Sequence, residues 1–335
     1  MTTNGNSQSE VGKTGGLLFK RGGFFDRSAC GRLELKGKDS LDLLHRISTN
    51  DLKGMGEGEI LGTVLTTEKG RIVDYVKVLR LNDSLLLITS QGTGSRVKKW
   101  IDKFCVMEDV HVLDVTSSTA MYSMLLLEGN PTIENLPEAA SWQNTFRKVG
   151  SPSFSYIVAN DADFGVGLLH VIADLPYGER VRELLKTLFE ELDPDLFEVY
   201  RISRGMPAIE GELSEAFNPY EAGLGQAVSL TKGCYVGQEV LARITLHGMA
   251  DRRILMGLLF KESANVGEKR PTLFKNSQEV GWRTSSSSRS VNGQFLGLGI
   301  VTSSQVHAGD TVWVASPEVK IEATVQNLPL LAEGE

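Results

Sequence analysis

The stretch LGTVLTTEKGRIVDYVKVLRLNDSLLLITS, Leu61 to Ser90, decides the fold class. Three runs in it are rich in Val, Ile, Leu and Thr, the composition of strands. The turns between them fall at Glu68-Lys69-Gly70 and at Asn82-Asp83, where glycine and short polar side chains allow a tight reversal. Strands joined so closely pair antiparallel, since a parallel crossover needs a dozen or more residues.

Moving outward, GRLELKG (Gly31–Gly37) alternates as a strand, and KDSLDLLHRIST predicts a helix that Asp39 or Ser40 can cap. GSRVKKWIDKFCVM is amphipathic, with Val97, Trp100, Ile101 and Phe104 on one face. A second such section follows. AMYSMLLLEG is a strand, FSYIVANDADFGVGLLHVIAD holds two more joined over Asn160–Gly165, and YGERVRELLKTLFEEL is a helix stopped by Asp193-Pro194. From about Ile254 the strands become short and even: RILMGLLF, EVGWRTSSS, FLGLGIVTS, DTVWVAS and KIEATVQNL. That pattern predicts a small barrel or sandwich, with TSSSSRSVNG (Thr284–Gly293) as a flexible hairpin loop. The whole predicts an α+β protein with a disordered tail over residues 1–16, a module of two α+β lobes over 17–250 and a β-barrel over 251–330.

The 335 residues carry a net charge of −7, which argues against broad nucleic-acid binding. No apolar run approaches the roughly 18 residues of a membrane span. The polar, glycine-rich start lacks the marks of a signal or transit peptide, and the three cysteines, Cys30, Cys105 and Cys234, are widely spaced. A cytoplasmic protein with no metal site of its own is expected. The five histidines are scattered without metal-ligand spacing.

Three places could carry chemistry. In KGCYVGQEVLARI (Lys232–Ile244), Cys234 stands beside Lys232 and ahead of a helical pattern expected from Tyr235, a setting that lowers a thiol pKa. Composition alone favours a small buried residue packing a tight turn. At the Leu65–Val78 hairpin, Thr66, Thr67, Glu68, Lys69 and Arg71 gather polar groups ahead of Asp74, which could serve a nitrogen-rich ring or act as a base; a solvated hairpin tip is the plainer alternative. In YRISRGMPAIEGEL, Arg201 and Arg204 bracket a helix end, either as an arginine fork for carboxylates or as basic residues meeting the helix dipole.

KGCYVGQEVLARI also resembles the signature of the YgfZ-type folate-binding proteins, relatives of the glycine-cleavage T-protein, an aminomethyltransferase. LHRISTNDL, LTTEKGRIVDYVKVLR, YRISRGMPAIEGELSEAFNPYEAGL and the segment from EVGWRTSSS to GDTVWV extend the resemblance along most of the chain. It implies a three-lobed cloverleaf around a central cavity, tetrahydrofolate as ligand, and a role beside iron–sulfur client or assembly proteins. It places Arg201, Asp74, Tyr75, Asn50, Thr66 and Arg71 at the folate, and Cys234 with Lys232 at the chemistry. Tyr75 stands where T-proteins have the second of two successive acids, and DADFGVGLLHV takes the place of their GYTGE-like segment. A phenol does not replace a carboxylate charged at neutral pH. Aminomethyl transfer is therefore the alternative to the iron–sulfur role, and a scaffold with a vestigial cavity is a third.

Overall fold

The computed structural model describes residues 22–125, 143–151, 153–164, 168–246, 252–264, 269–315 and 320–331. The tail expected over residues 1–16, and His247, lie outside these.

The strands expected from Leu61–Ser90 are β3 (Ile60–Thr66), β4 (Ile72–Arg80) and β5 (Ser84–Gln91), paired antiparallel. With β2 (Cys30–Lys36) and β6 (His111–Asp114) they form a five-stranded sheet in the order β3-β4-β5-β2-β6. α1 (Ser40–Ile47) and α2 (Gly94–Phe104) cover one face. Leu43, Leu44 and Ile47 of α1 and Val97 and Ile101 of α2 are fully or nearly buried there against Leu33, Leu35, Val76 and Val78. Asp39 precedes α1 but does not cap it with its side chain; its Oδ2 instead accepts from the Asp109 amide at 2.8 Å.

The second sheet runs β11 (Glu190–Glu191), β1 (Gly23–Asp26), β7 (Thr119–Leu125), β10 (Leu168–Asp174), β9 (Phe154–Asp161), β8 (Phe146–Ser151). Only its β1–β11 pair is parallel. α3 (Leu175–Leu188) packs on one face through Val181 and Leu185. The other face meets the first sheet through Met121, Ala159 and Ile172 against Ile60, Leu79, Leu86 and Ile88. The buried Arg32 guanidinium joins the two, donating to Thr119 Oγ1 at 2.8 Å and to the Ser28 carbonyl at 2.9 Å.

Asp193-Pro194 starts a helix, α4 (Pro194–Arg204), and does not stop α3, which ends earlier at Leu188. Proline suits the first helical position, where its missing N–H costs nothing, and Asp193 caps the Asp195 amide at 2.8 Å. α4 is a wedge: Phe197 and Tyr200 face Phe25, Leu125 and Leu168, while Val199 and Ile202 face Leu296 and Leu298.

Those two leucines belong to a closed barrel of β12 (Arg253–Phe260), β15 (Gln294–Thr302), β14 (Gln278–Val291), β13 (Thr272–Lys275), β16 (Thr311–Ala315) and β17 (Lys320–Gln326), in that circular order. The serine tract is not a loop. β14 runs through it for 14 residues, and the reversal is made by Asn292-Gly293, both at positive φ. The serines suit a strand because their hydroxyls are used: Ser287 Oγ accepts from the Leu296 amide at 2.9 Å, and Ser285 Oγ donates to Glu212 at 2.8 Å. The architecture is mixed α+β with a closed six-stranded barrel.

Candidate functional site

Alternation along β4 puts Tyr75 and Lys77 on the face towards the second sheet, opposite Val76 and Val78 in the helix-side core. There they line a cavity of about 100 Å³ together with Ser123, Asp161, Phe164 and His170. Lys77 Nζ donates to Asp161 Oδ1 at 2.6 Å and to Asp163 Oδ2 at 2.5 Å. The Tyr75 hydroxyl donates to the same Asp163 oxygen. His170 Nε2 stands 3.5 Å from Asp161 Oδ2, and its Nδ1 bonds Ser123 Oγ at 2.8 Å. Polar groups thus run unbroken from Tyr75 to Ser123 along the cavity wall.

Burial sets the electrostatics. It pushes the Tyr75 phenol well above its ordinary pKa, helped by Asp163 and Asp161. For Asp161 burial pushes upward, but the Lys77 ammonium and His170 outweigh it and hold the carboxyl below the usual range. Gly62 on β3 makes the arrangement possible. A Cβ there would lie 2.1 Å from the Tyr75 hydroxyl and 2.4 Å from Asp163 Oδ2, so only a glycine leaves room for the pair. Arg27 lines the same cavity, its guanidinium 4.0 Å from the centroid of the Phe197 ring, and Met121, Met206 and Pro207 close the apolar part.

Of the candidate site residues read from sequence, Tyr75 alone lines this cavity. Asp74 is fully buried and turned to β5 and α2, where it accepts from Ser90 Oγ at 2.6 Å, from Thr93 Oγ1 and from two backbone amides; burial raises its pKa. Asn50 donates to the Gly62 carbonyl at 2.7 Å, and Thr66 donates to the Val236 carbonyl at 2.7 Å. Arg71 reaches the Ala216 carbonyl and Glu221. Arg201 is buried and bonds Glu198, the Met206 carbonyl and Ser285 Oγ, with Glu212 at 3.8 Å.

The cysteine motif is differently built from the expectation. α5 (Gln238–Leu246) begins four residues after Cys234, not at Tyr235, because Gly237 at φ +84 turns the chain first. Cys234 is exposed. Lys232 is buried, and its Nζ donates to the carbonyls of His45, Ser48 (2.8 Å) and Asn50 (2.7 Å). These oxygens cluster at the C-terminal end of α1, where a cation meets the negative end of the helix dipole. All three ammonium protons are committed there, so the link from Lys232 to Cys234 is one of chain position and not of hydrogen bonding. Burial lowers the Lys232 pKa to about 8. The site as a whole places Cys234, Arg201 and Asp74 in three separate surroundings. Lys77, Asp161, Asp163, His170 and Ser123 were not singled out from sequence; the charge inside the apolar strand IVDYVKVLR and the paired acids of DAD were the available signals.

In the comparisons, a family model described as the GCVT N-terminal domain matches residues 17–145. The crystal structure of the glycine-cleavage aminomethyltransferase T from Bartonella henselae superposes with a TM-score of 0.78, covering 93% of this chain and 87% of that one at 16% identity. The fold is that of the T-protein. The chain also aligns with an aminomethyltransferase of Thermotoga petrophila, 25% identical over 92% of this chain and 85% of that protein. A chloroplastic protein of Arabidopsis thaliana that carries a provisional transferase name is 29% identical over 92% of this chain and 71% of its own length. On the T-protein fold, Tyr75, Lys77 and their acids occupy the space between the first two sheets, and the barrel stands beyond α4.

Proposed function

We propose that the cavity between the two sheets holds the pterin ring of a tetrahydrofolate, and that the protein is an accessory factor in iron–sulfur cluster assembly or repair. The observation that carries the folate reading is a cluster of buried acceptors at the cavity. Asp161 and Asp163 share the Lys77 ammonium, His170 stands 3.5 Å from Asp161, and Tyr75 stays protonated beside them. Buried carboxylate oxygens of this kind suit a ligand whose ring edge donates N–H groups. The aminopyrimidinone edge of a pterin does so. Phe164 and Phe197 offer ring faces, and Arg27 offers a cation to a carboxylate-bearing tail. A volume of about 100 Å³ receives the edge of the pterin, so the rest of a folate would extend outside. Asp161, Lys77 and Tyr75 would hold that ring. When bound, tetrahydrofolate supplies a carrier for one-carbon units.

Similarity to aminomethyltransferases supports the ligand class. The KGCYVGQE resemblance and the exposure of Cys234 support the iron–sulfur role over glycine cleavage, as does a phenol at residue 75. One observation favours the alternative, aminomethyl transfer: Asp163 returns a carboxylate to the Tyr75 hydroxyl, beside the position where T-proteins carry an acid.

Titration of tetrahydrofolate by calorimetry tests the ligand. We expect saturable binding at tens of micromolar, weakened about tenfold or more by Asp161→Asn and unchanged by Cys234→Ala. No binding at about 1 mM would remove the reading. Complementation of an iron–sulfur-deficient strain tests the role: Cys234→Ala is expected to fail while remaining folded. Formation of methylene-tetrahydrofolate from an aminomethylated carrier protein would instead establish the transferase.

A further inference from the structure

The slot between the two sheets has a second mouth. Side chains alternate along a strand, so β7 sends Thr119, Met121 and Ser123 into the slot, and β10 sends His170, Ile172 and Asp174. Ser123 and His170 line the cavity of Lys77 and Asp161 at one end. Thr119 and Asp174 line a cleft of about 740 Å³ at the other. His170 and Asp174 are four residues apart, about 13 Å along a strand, with the core around Met121 and Ile172 between them. We propose that this cleft binds a small organic cation with an aromatic or aliphatic body.

The apolar body has a floor to lie on. Leu86 and Ile172 form it, and Leu81, Val115, Phe146 and Ile157 pack on the inter-sheet core around it while staying partly open. Apolar surface left wet in this way gains from contact with an apolar ligand. The volume falls within the roughly 300–1,000 Å³ of small-molecule sites. Asn144 and Thr145, ahead of β8, run beside Ile60 and Glu59, away from Glu57 at the cleft.

The charge at the mouth is negative. Among the described residues, Glu34, Glu57 and Asp174 line it with one cation, Lys148. Lys36 meets Glu34 at 3.1 Å. Glu57, Asp174 and Lys148 have no side-chain hydrogen bond or ion pair among the described residues, so two unpaired carboxylates stand against one ammonium. Asp174 shows that this is not a matter of missing local donors alone. It occupies the N-cap of α3 with the extended backbone that suits a capping aspartate, yet its carboxylate accepts no amide there. Pro176, in the first turn, brings no N–H. The alternation of β10 turns the Asp174 carboxylate to the cleft instead, where an ammonium or amidinium would be its partner.

Calorimetric titration of the full chain with tryptamine, indole-3-acetate and ethylamine tests the site. The first two share a ring and differ in charge; the third carries the charge without the ring. We expect saturable tryptamine binding at about 1 mM or tighter, indole-3-acetate weaker by about tenfold or more, and no binding of ethylamine at about 5 mM. Glu57→Gln combined with Asp174→Asn changes two exposed side chains and should weaken tryptamine by about fivefold or more, with thermal melts to check folding. Asp161→Asn alters the other cavity and should leave tryptamine binding unchanged. No saturable tryptamine binding at about 5 mM, equal binding of indole-3-acetate or ethylamine, full retention by the folded double variant, or loss in folded Asp161→Asn overturns the proposal. The two mouths share no lining residue among those described, so tetrahydrofolate titration reads the sites apart.

Discussion

Replacing Lys232 by methionine removes three hydrogen bonds at once, those from its Nζ to His45, Ser48 and Asn50. The carbonyls stay behind at the end of α1 with no donor, at a cost of about 2–4 kcal/mol, measurable by urea denaturation. Cys234→Ala should change stability by less than about 0.5 kcal/mol, because the thiol is exposed. The same exposure makes Cys234 the fast-reacting thiol towards Ellman's reagent, and the buried Cys30 a slow one. If Cys234→Ala keeps the fast phase, the placement of Cys234 is wrong. Asp161 gives the pH dependence. Its folded pKa is held below the unfolded value of about 4, so its contribution is complete above that value and is lost as pH falls from there towards the folded pKa. Asp161→Asn should flatten the acid limb of the stability profile below about pH 4 and lower stability at pH 7.

At the scale of elements, much was legible because side-chain alternation and turn residues are local signals. Leu61–Ser90 contains its own evidence for β3, β4 and β5, and so does the amphipathic spacing of α2. What failed depended on distant partners. The Thr284–Ser287 region has loop composition, and it becomes strand only because β15 and Glu212 supply hydrogen bonds. The cavity acids were illegible for the same reason: Lys77 and Asp161 are 84 residues apart, and nothing local says that they meet. Gly62 joins these facts. Gly62→Ala should displace the Tyr75–Asp163 pair and destabilise the protein by about 1–3 kcal/mol, with folate affinity falling alongside; an unchanged denaturation midpoint would contradict the packing seen here.

The whole molecule is held across α4. Arg201, taken from sequence as a folate contact, sits between Glu198, Ser285 of the barrel and the fully buried Glu212. Removing it leaves the buried Glu212 with its hydrogen bonds from Ser285 and the Ala208 amide but without a cation, so Arg201→Met should cost about 3–5 kcal/mol. Because the clasp joins the barrel to the rest, differential scanning calorimetry should then show broader or more divided unfolding than the unchanged protein gives. The order of the first strands carries a further consequence, one of time. β1 (Gly23–Asp26) pairs with β7 and β11, while the strands that follow it directly build the other sheet. On a ribosome moving at about 5–20 residues per second, roughly ninety residues separate β1 from β7, so Phe24 and Phe25 wait some 5–20 seconds for their neighbours. β1, the earliest strand among the described residues, thus waits longer for its neighbours than β2, whose partner β5 begins at Ser84, and a nascent chain halted before Thr119 would offer those two phenylalanines to chaperones.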